Sequence, residues 1–191
     1  MGILVLAAGS SHRFGSDKRT AALPSGDEIL HQTLSNATAS DFPVTLVLGP
    51  RDIELADNLA KQFPRTEIVR SPESPLGIGY SLAFGVDHIR DLGWRLCLIA
   101  HGDMPWVTSP LFNAIGKRVS PDNIVVPRYQ ERVGRPIGYG KNYFGELSDL
   151  RGDTDDGSVW HHHTDRVEYL ELDNRGILDD IDEPEDLLKH F

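Results

Sequence analysis

The sequence predicts an α/β fold of three layers, α/β/α, in which helices cover both faces of a mostly parallel sheet. Three observations predict it. Short apolar runs alternate with amphipathic stretches over roughly the first 120 residues, the pattern of repeated strand–helix–strand units. The runs are continuously apolar, as strands buried on both faces must be. Polar, glycine-bearing loops follow directly on two of these runs, where such sheets open their binding crevice.

Taken in order, Ile3 to Ala8 is a buried strand that ends in Gly9-Ser10-Ser11. Leu30, Leu34 and Ala37 recur at helical spacing, and Val44 to Leu48 is a second strand halted by Gly49-Pro50. Ile53, Ala56, Ala60 and Phe63 mark a helix stopped by Pro64. Glu67 to Val69 is a short strand. The turn-rich stretch Ser71 to Gly79 leads into a helix carrying Leu82, Val86 and Ile89. Leu96 to Ala100 is the next strand and runs into His101-Gly102-Asp103-Met104-Pro105. Thr108 or Ser109 can cap a helix with Pro110 in its first turn. The remainder is less regular. Asn123 to Pro127 and Arg135 to Tyr139 read as strands, and Tyr143, Leu147 and Leu150 as a short helix. Val167 to Leu172 reads as a half-exposed strand, and Pro184 to Leu188 as the opening of a final helix. No repeat or linker interrupts the 191 residues, so one domain is expected, with a first half (1–120) and a second half (121–191).

Composition narrows the class. With 39% hydrophobic and 25% charged residues, the chain reads as an ordinary globular protein. No apolar run approaches the roughly 20 residues that span a bilayer, so no membrane segment is expected. The opening run lacks a basic flank and reads as a strand rather than a leader, and a cytoplasmic location is expected. The single cysteine, Cys97, lies in an apolar run and reads as a buried, inert thiol. A formal net charge of −10 argues against nucleic acid as a partner. The acidic residues crowd between Asp173 and Asp186, whereas the first twenty positions carry Arg13, Lys18 and Arg19 against Asp17 alone. An anionic ligand is therefore expected at the N-terminal loop.

That loop has the right parts. Gly9, Ser10, Ser11 and Gly15 let backbone N–H groups approach an anion, and Arg13 and Lys18 add fixed cations. It is neither a Walker loop nor a dinucleotide fingerprint, because both glycine spacings are absent. The competing reading is a solvated turn between strand and helix.

Leu6-Ala7-Ala8-Gly9-x-x-x-Arg13-x-Gly15-x-x-Lys18 resembles the opening motif of the MobA-like nucleotidyltransferases, and within them the molybdenum cofactor cytidylyltransferases. Gly102-Asp103-Met104-Pro105 is similar to their metal-binding loop. Leu76-Gly77-Ile78-Gly79-Tyr80-Ser81-Leu82 is similar to their glycine-rich segment, and Asp180 to Asp186 to their C-terminal acidic motif. The matches occur in order along nearly the whole chain. The resemblance implies a Rossmann-like, mostly parallel but mixed sheet of the nucleotide-diphospho-sugar transferase type.

Asp103 follows a buried strand and a glycine and precedes a stiff Met-Pro turn. On these residues alone it serves equally as a turn cap or as one of the one or two carboxylates that magnesium commonly takes. Asp182 is on the same terms either a helix cap or a ligand, with Asp180 on the same face of an extended backbone. The resemblance makes Asp103 and Asp182 the Mg2+ ligands and gives Arg13, Lys18 and Asp103 catalytic roles. It also implies nucleotide contacts from Leu6, Ala7, Ala8, Gly9, Ser10, Ser11, Arg13, Lys18, Gly77, Gly79 and Ser81. The chemistry it implies is attack by an acceptor phosphate on the α-phosphorus of a nucleoside triphosphate, CTP above all, with loss of pyrophosphate. The phosphorylated acceptor would be molybdopterin.

The acceptor side is expected in the second half, at Arg128, Arg135 and Pro136, with Arg132 beside them; a solvated basic face is the alternative. Here the chain departs from its relatives. Arg135 replaces the histidine of a Gly-His-Pro segment, and Thr154-Asp155-Asp156 separate Gly152-Asp153 from the next glycine. Guanylyl transfer, a sugar-phosphate acceptor or a non-catalytic nucleotide sensor therefore stay open. Consecutive His161, His162 and His163 project in different directions on a helix and are expected at an exposed helix end, not on one metal ion.

Overall fold

The computed structural model describes residues 1–9 and 14–188. An eight-stranded sheet runs in the order β3-β2-β1-β4-β7-β5-β6, with β8 pairing β5. Its strands are β1 (Gly2–Leu6), β2 (Val44–Leu48), β3 (Glu67–Arg70), β4 (Leu96–His101), β5 (Ile124–Tyr129), β6 (Arg132–Val133), β7 (Ile137–Gly140) and β8 (Val167–Glu171). The pairs β1–β2, β2–β3, β1–β4 and β5–β8 are parallel, and β7 joins β4 to β5 in antiparallel register.

The central strands β1 and β2 are buried for the reason given by their composition: every residue of both is buried. Alternate side chains feed two separate cores. Ile3, Val5, Leu46 and Leu98 pack with α1 (Ile29–Thr38) and α4 (Ser109–Gly116) on one face. Leu4, Leu6, Val47 and Ile99 pack with Leu82, Val86 and Ile89 of α3 (Ile78–Asp91) on the other. Leu59 of α2 (Ile53–Gln62) joins the first core, while Leu147 of α5 (Phe144–Ser148) and Trp160 of α6 (Gly157–His162) join the second. This is the expected three-layer arrangement with a mixed, mostly parallel sheet. Cys97 is fully buried in the second core, and burial, then the field of Asp156, push its thiol well above the ordinary value.

Three local readings change. The strand expected from Asn123 continues to Tyr129 and turns through Gln130 and Glu131, both at positive φ, into the two-residue β6. Arg135 and Pro136 precede β7 instead of opening it. Pro184–Leu188 forms a 3-10 turn rather than an α-helix, with the Asp186 carboxylate accepting from the N–H groups of Asp182 and Glu183.

The chain lays β1, β2 and β3 outward on one side, then returns to place β4 on the other side of β1. That reversal is a topological switch point, and the crevice it opens lies beyond the carboxyl ends of β1 and β4.

Candidate active site

A cleft of about 1000 Å3 occupies this position. Three loops at adjacent strand ends line it: Ala7 to Gly9 after β1, Gly49 to Asp52 after β2, and Gly102-Asp103 after β4. Lys18, Arg19, Asp180 and Asp182 add charged side chains to its lining.

Lys18 and Arg19 sit on one 3-10 turn, Lys18–Thr20, whose start is capped by the Asp17 carboxylate accepting from the Arg19 N–H. The two side chains leave the turn toward different partners. The Lys18 ammonium donates to Asp103 Oδ2 at 2.7 Å, to the Ile181 carbonyl at 2.8 Å and to Asp182 Oδ1 at 3.1 Å. The N–H of Ile181 donates to the Asp103 carbonyl at 3.0 Å, so backbone pairing brings the C-terminal acidic segment to the β4 loop. Burial opposes charge on Lys18, but the Asp103 and Asp182 carboxylates outweigh it and hold the ammonium above its ordinary value. Burial, then repulsion from Asp103 and Asp182, pushes the Asp180 carboxyl up.

The donor set fits a divalent cation. Asp103 Oδ1 is buried and has no hydrogen-bond partner among the described residues, while Oδ2 and Asp182 Oδ1 converge on a single ammonium. Hard oxygen donors around one shared positive charge are what magnesium or manganese takes.

The residues expected at the site are distributed as follows. Leu6, Ala7, Ala8, Gly9, Lys18, Gly77, Ser81, Asp103 and Asp182 all line the cleft. Ser10, Ser11 and Arg13 lie outside the described residues. Gly79 packs away on a second loop: its N–H donates to the Gly152 carbonyl at 2.9 Å, and an added Cβ would lie 2.8 Å from the Arg151 backbone. Gly77, at φ +130°, would place a Cβ 2.1 Å from the Gly152 oxygen. These glycines thus let the Arg151 to Asp153 loop seat directly on the start of α3, and Asp153 reaches the cleft with it.

Arg128 and Arg135 are held by different partners. Arg128 stacks on Tyr169, 3.3 Å from the ring centroid. Arg135 donates to Asp156 Oδ1 at 2.6 Å and Asp155 Oδ2 at 3.0 Å, and the Tyr139 hydroxyl lies 3.1 Å from Asp156 Oδ2. The arginine before Pro136 and the acidic residues that follow Asp153 are therefore partners of one another. Of the histidines, His161 stacks on Trp160 and His163 lies 2.6 Å from Glu146.

Sequence reading placed His101 in a site loop but missed Arg19, Asp52 and Asp153 as lining residues. Arg19 neighbours Lys18, and Asp52 closes a loop at a strand end; strand-end position was the usable signal for Asp52 and His101.

The fold and cleft define a class: a three-layer α/β domain of the nucleotide-diphospho-sugar transferase fold, open at its switch point. More particularly, residues 3–167 match the model of the MobA-like NTP transferase domain, and the chain belongs to that family. It is 27% identical over 188 residues to the molybdenum cofactor cytidylyltransferase of Escherichia coli K12, covering 97% of this chain and 92% of that protein. The crystal structure of Rv0371c from Mycobacterium tuberculosis H37Rv superposes with a TM-score of 0.80 at 26% identity, over 98% of this chain and 96% of that one. A structure of the same mycobacterial protein in complex with manganese gives a TM-score of 0.78 at 26% identity, over 100% and 98% of the two chains.

Proposed function

We propose that this protein transfers CMP from CTP to a phosphorylated acceptor of the molybdopterin kind, releasing pyrophosphate, in the cytoplasm. The chain acts as one domain, with the nucleotide on residues 1–120 and the acceptor toward 121–191. The observation that carries the reading is the meeting of Lys18, Asp103 and Asp182, from three separate segments, at the sheet's switch point. The similarity to a cytidylyltransferase supports the choice of base and acceptor, and the manganese complex of Rv0371c supports a divalent metal.

Mg2+ would be held by Asp103 and Asp182 and would supply electrostatic stabilisation of charge on the phosphates. The acceptor phosphate oxygen forms the new bond to the α-phosphorus as the bond to the β-phosphate bridging oxygen breaks. A phosphate is ionised near neutral pH, so no side chain needs to remove a proton. The protein's part is positioning and charge. Lys18, held charged by its carboxylate neighbours, and Arg13 neutralise the triphosphate. Backbone from Leu6 to Gly9 faces the nucleotide, Ser10 and Ser11 add contacts to it, and Gly77, just before α3, and Ser81, on α3, approach it from the other side. Gly79 acts by seating the Arg151 loop beneath them. Arg135, preceding Pro136, serves the acceptor end by holding the Asp155-Asp156 segment, and Arg128 flanks it.

The test is pyrophosphate release from CTP with molybdopterin and Mg2+. Wild type is expected to turn over and Asp103→Asn to lose at least about a hundredfold in rate, with an unchanged circular dichroism spectrum. Undiminished turnover in Asp103→Asn sinks the metal assignment. Nucleotide binding without pyrophosphate release from any acceptor favours a sensor.

A further inference from the structure

Arg19 is the most heavily bonded side chain in the cleft, and transfer chemistry as set out above gives it no role. Its Nε–H donates to Asp17 Oδ1 at 2.8 Å. One terminal nitrogen donates to the Ala7 carbonyl at 2.9 Å and to Asp52 Oδ2. The other donates to Asp17 Oδ2 and Asp52 Oδ1, each at 2.8 Å. These bonds use all five N–H groups of the guanidinium. The side chain is only 13% exposed. Burial opposes its charge, but Asp17 and Asp52 outweigh that and hold it firmly protonated.

Lys18 would be freed for phosphate once a metal took over Asp103 and Asp182, but no cation is proposed to replace Arg19, so recruiting its guanidinium to a triphosphate would leave Asp17 and Asp52 without their counter-ion. What it does mechanically is clear. Asp52 Oδ2 also accepts from the Gly49 N–H at 2.8 Å. The chain of contacts Ala7 carbonyl, Arg19, Asp52, Gly49 N–H therefore ties the end of β1 to the end of β2. Both tied segments line the cleft, on the side of β1 opposite β4, whereas Lys18 joins the β1 side to the β4 loop. The lysine and the arginine of a single turn thus brace two ends of one cleft.

We infer that the Arg19–Asp52 pair is a positioning device that sets the spacing of the Ala7 to Gly9 and Gly49 to Arg51 backbones and thereby determines discrimination among nucleobases. This rests on the nucleotide reading above. Base edges present fixed patterns of donors and acceptors, and backbone groups distinguish them only when held rigidly against one another. A lysine keeps the charge but has three donors on one nitrogen and no planar fork, so it cannot reproduce the paired bonds to Asp17 and Asp52 together with the bond to Ala7.

The experiment is calorimetric titration of wild type, Arg19→Lys and Asp52→Asn with CTP, UTP, GTP and ATP in the presence of Mg2+, and with inorganic tripolyphosphate as a probe without a base. Each variant is first checked for a cooperative melt. Arg19→Met is held in reserve in case Arg19→Lys does not fold, and the two sites test the pair independently. Wild type is expected to prefer one nucleotide. Either variant is expected to narrow that preference by about tenfold through weaker binding of the preferred nucleotide. Tripolyphosphate affinity should stay within about twofold, as expected when phosphate contacts are untouched. Parallel loss of tripolyphosphate affinity makes Arg19 a phosphate ligand and overturns the inference. So does an unchanged preference in the variants, or equal affinity of wild type for all four nucleotides. If wild type binds neither the nucleotides nor tripolyphosphate, the nucleotide reading itself fails, a result distinct from the others.

Discussion

The Lys18 ammonium lies 2.7 Å from Asp103 Oδ2, joining residues 85 positions apart in the chain. Its second carboxylate, Asp182, comes from a third segment, so one long, flexible side chain joins three parts of the chain. The same geometry makes Lys18 the positive charge that balances two acidic residues.

Lys18→Ala is therefore expected to behave in two ways. Without a cation the variant loses about 1–3 kcal/mol, because Asp103 and Asp182 keep a partly buried repulsion without compensation. Millimolar Mg2+ or Mn2+ then raises its melting temperature by more than it raises that of wild type, since binding stabilises by mass action and the lysine no longer competes. Thermal melts with and without metal measure both effects. An equal or smaller metal response in the variant would show that the ammonium and the cation do not share the carboxylates.

The seat of the Arg151 loop on α3 depends on two missing side chains. Gly77→Ala is expected to cost about 2–4 kcal/mol, since it combines a strained backbone conformation with a methyl pressed against the Gly152 carbonyl. Gly79→Ala meets the Arg151 backbone at a negative φ and is expected to cost about 1–3 kcal/mol. Urea denaturation gives both values. A loss below about 0.5 kcal/mol at Gly77, the range of an ordinary surface change, would mean that the loop sits elsewhere in solution.

Arg135 balances Asp156, a carboxylate with no solvent exposure. Arg135→Met leaves that charge buried without a counter-ion, the Tyr139 hydroxyl its remaining side-chain partner, with an expected loss of about 3–5 kcal/mol. The double variant Arg135→Met/Asp156→Leu is expected to recover much of it, because the uncompensated charge is gone. Chemical denaturation of the two variants makes the comparison. If the double variant is as unstable as the single, the pairing is not what Arg135 contributes.

Much of the fold was legible because burial leaves a local record. The runs Ile3 to Leu6, Val44 to Leu48 and Cys97 to Ala100 are apolar at every position or nearly so, as a strand covered on both faces requires. The helical spacing of Leu82, Val86 and Ile89 marks the face of α3 that packs on them. The second half was harder. β7 enters antiparallel between β4 and β5, and β8 returns parallel beside β5; nothing in a short apolar run states the direction or partner of a strand.

Of the candidate site, the sequence by itself determined where polar loops follow buried strands: Gly9 to Lys18 and Gly102 to Pro105 come directly after apolar runs, and Asp182 lies in an acidic segment just before a proline. Only the tertiary structure decided who pairs with whom. It set Lys18 between Asp103 and Asp182, gave all of Arg19 to Ala7, Asp17 and Asp52, and joined Arg135 to Asp155 and Asp156. Hydrophobic burial is periodic along the chain and can be read locally. An ion pair depends on two side chains meeting in space, and no spacing in the sequence records which ones the fold will bring within 3 Å.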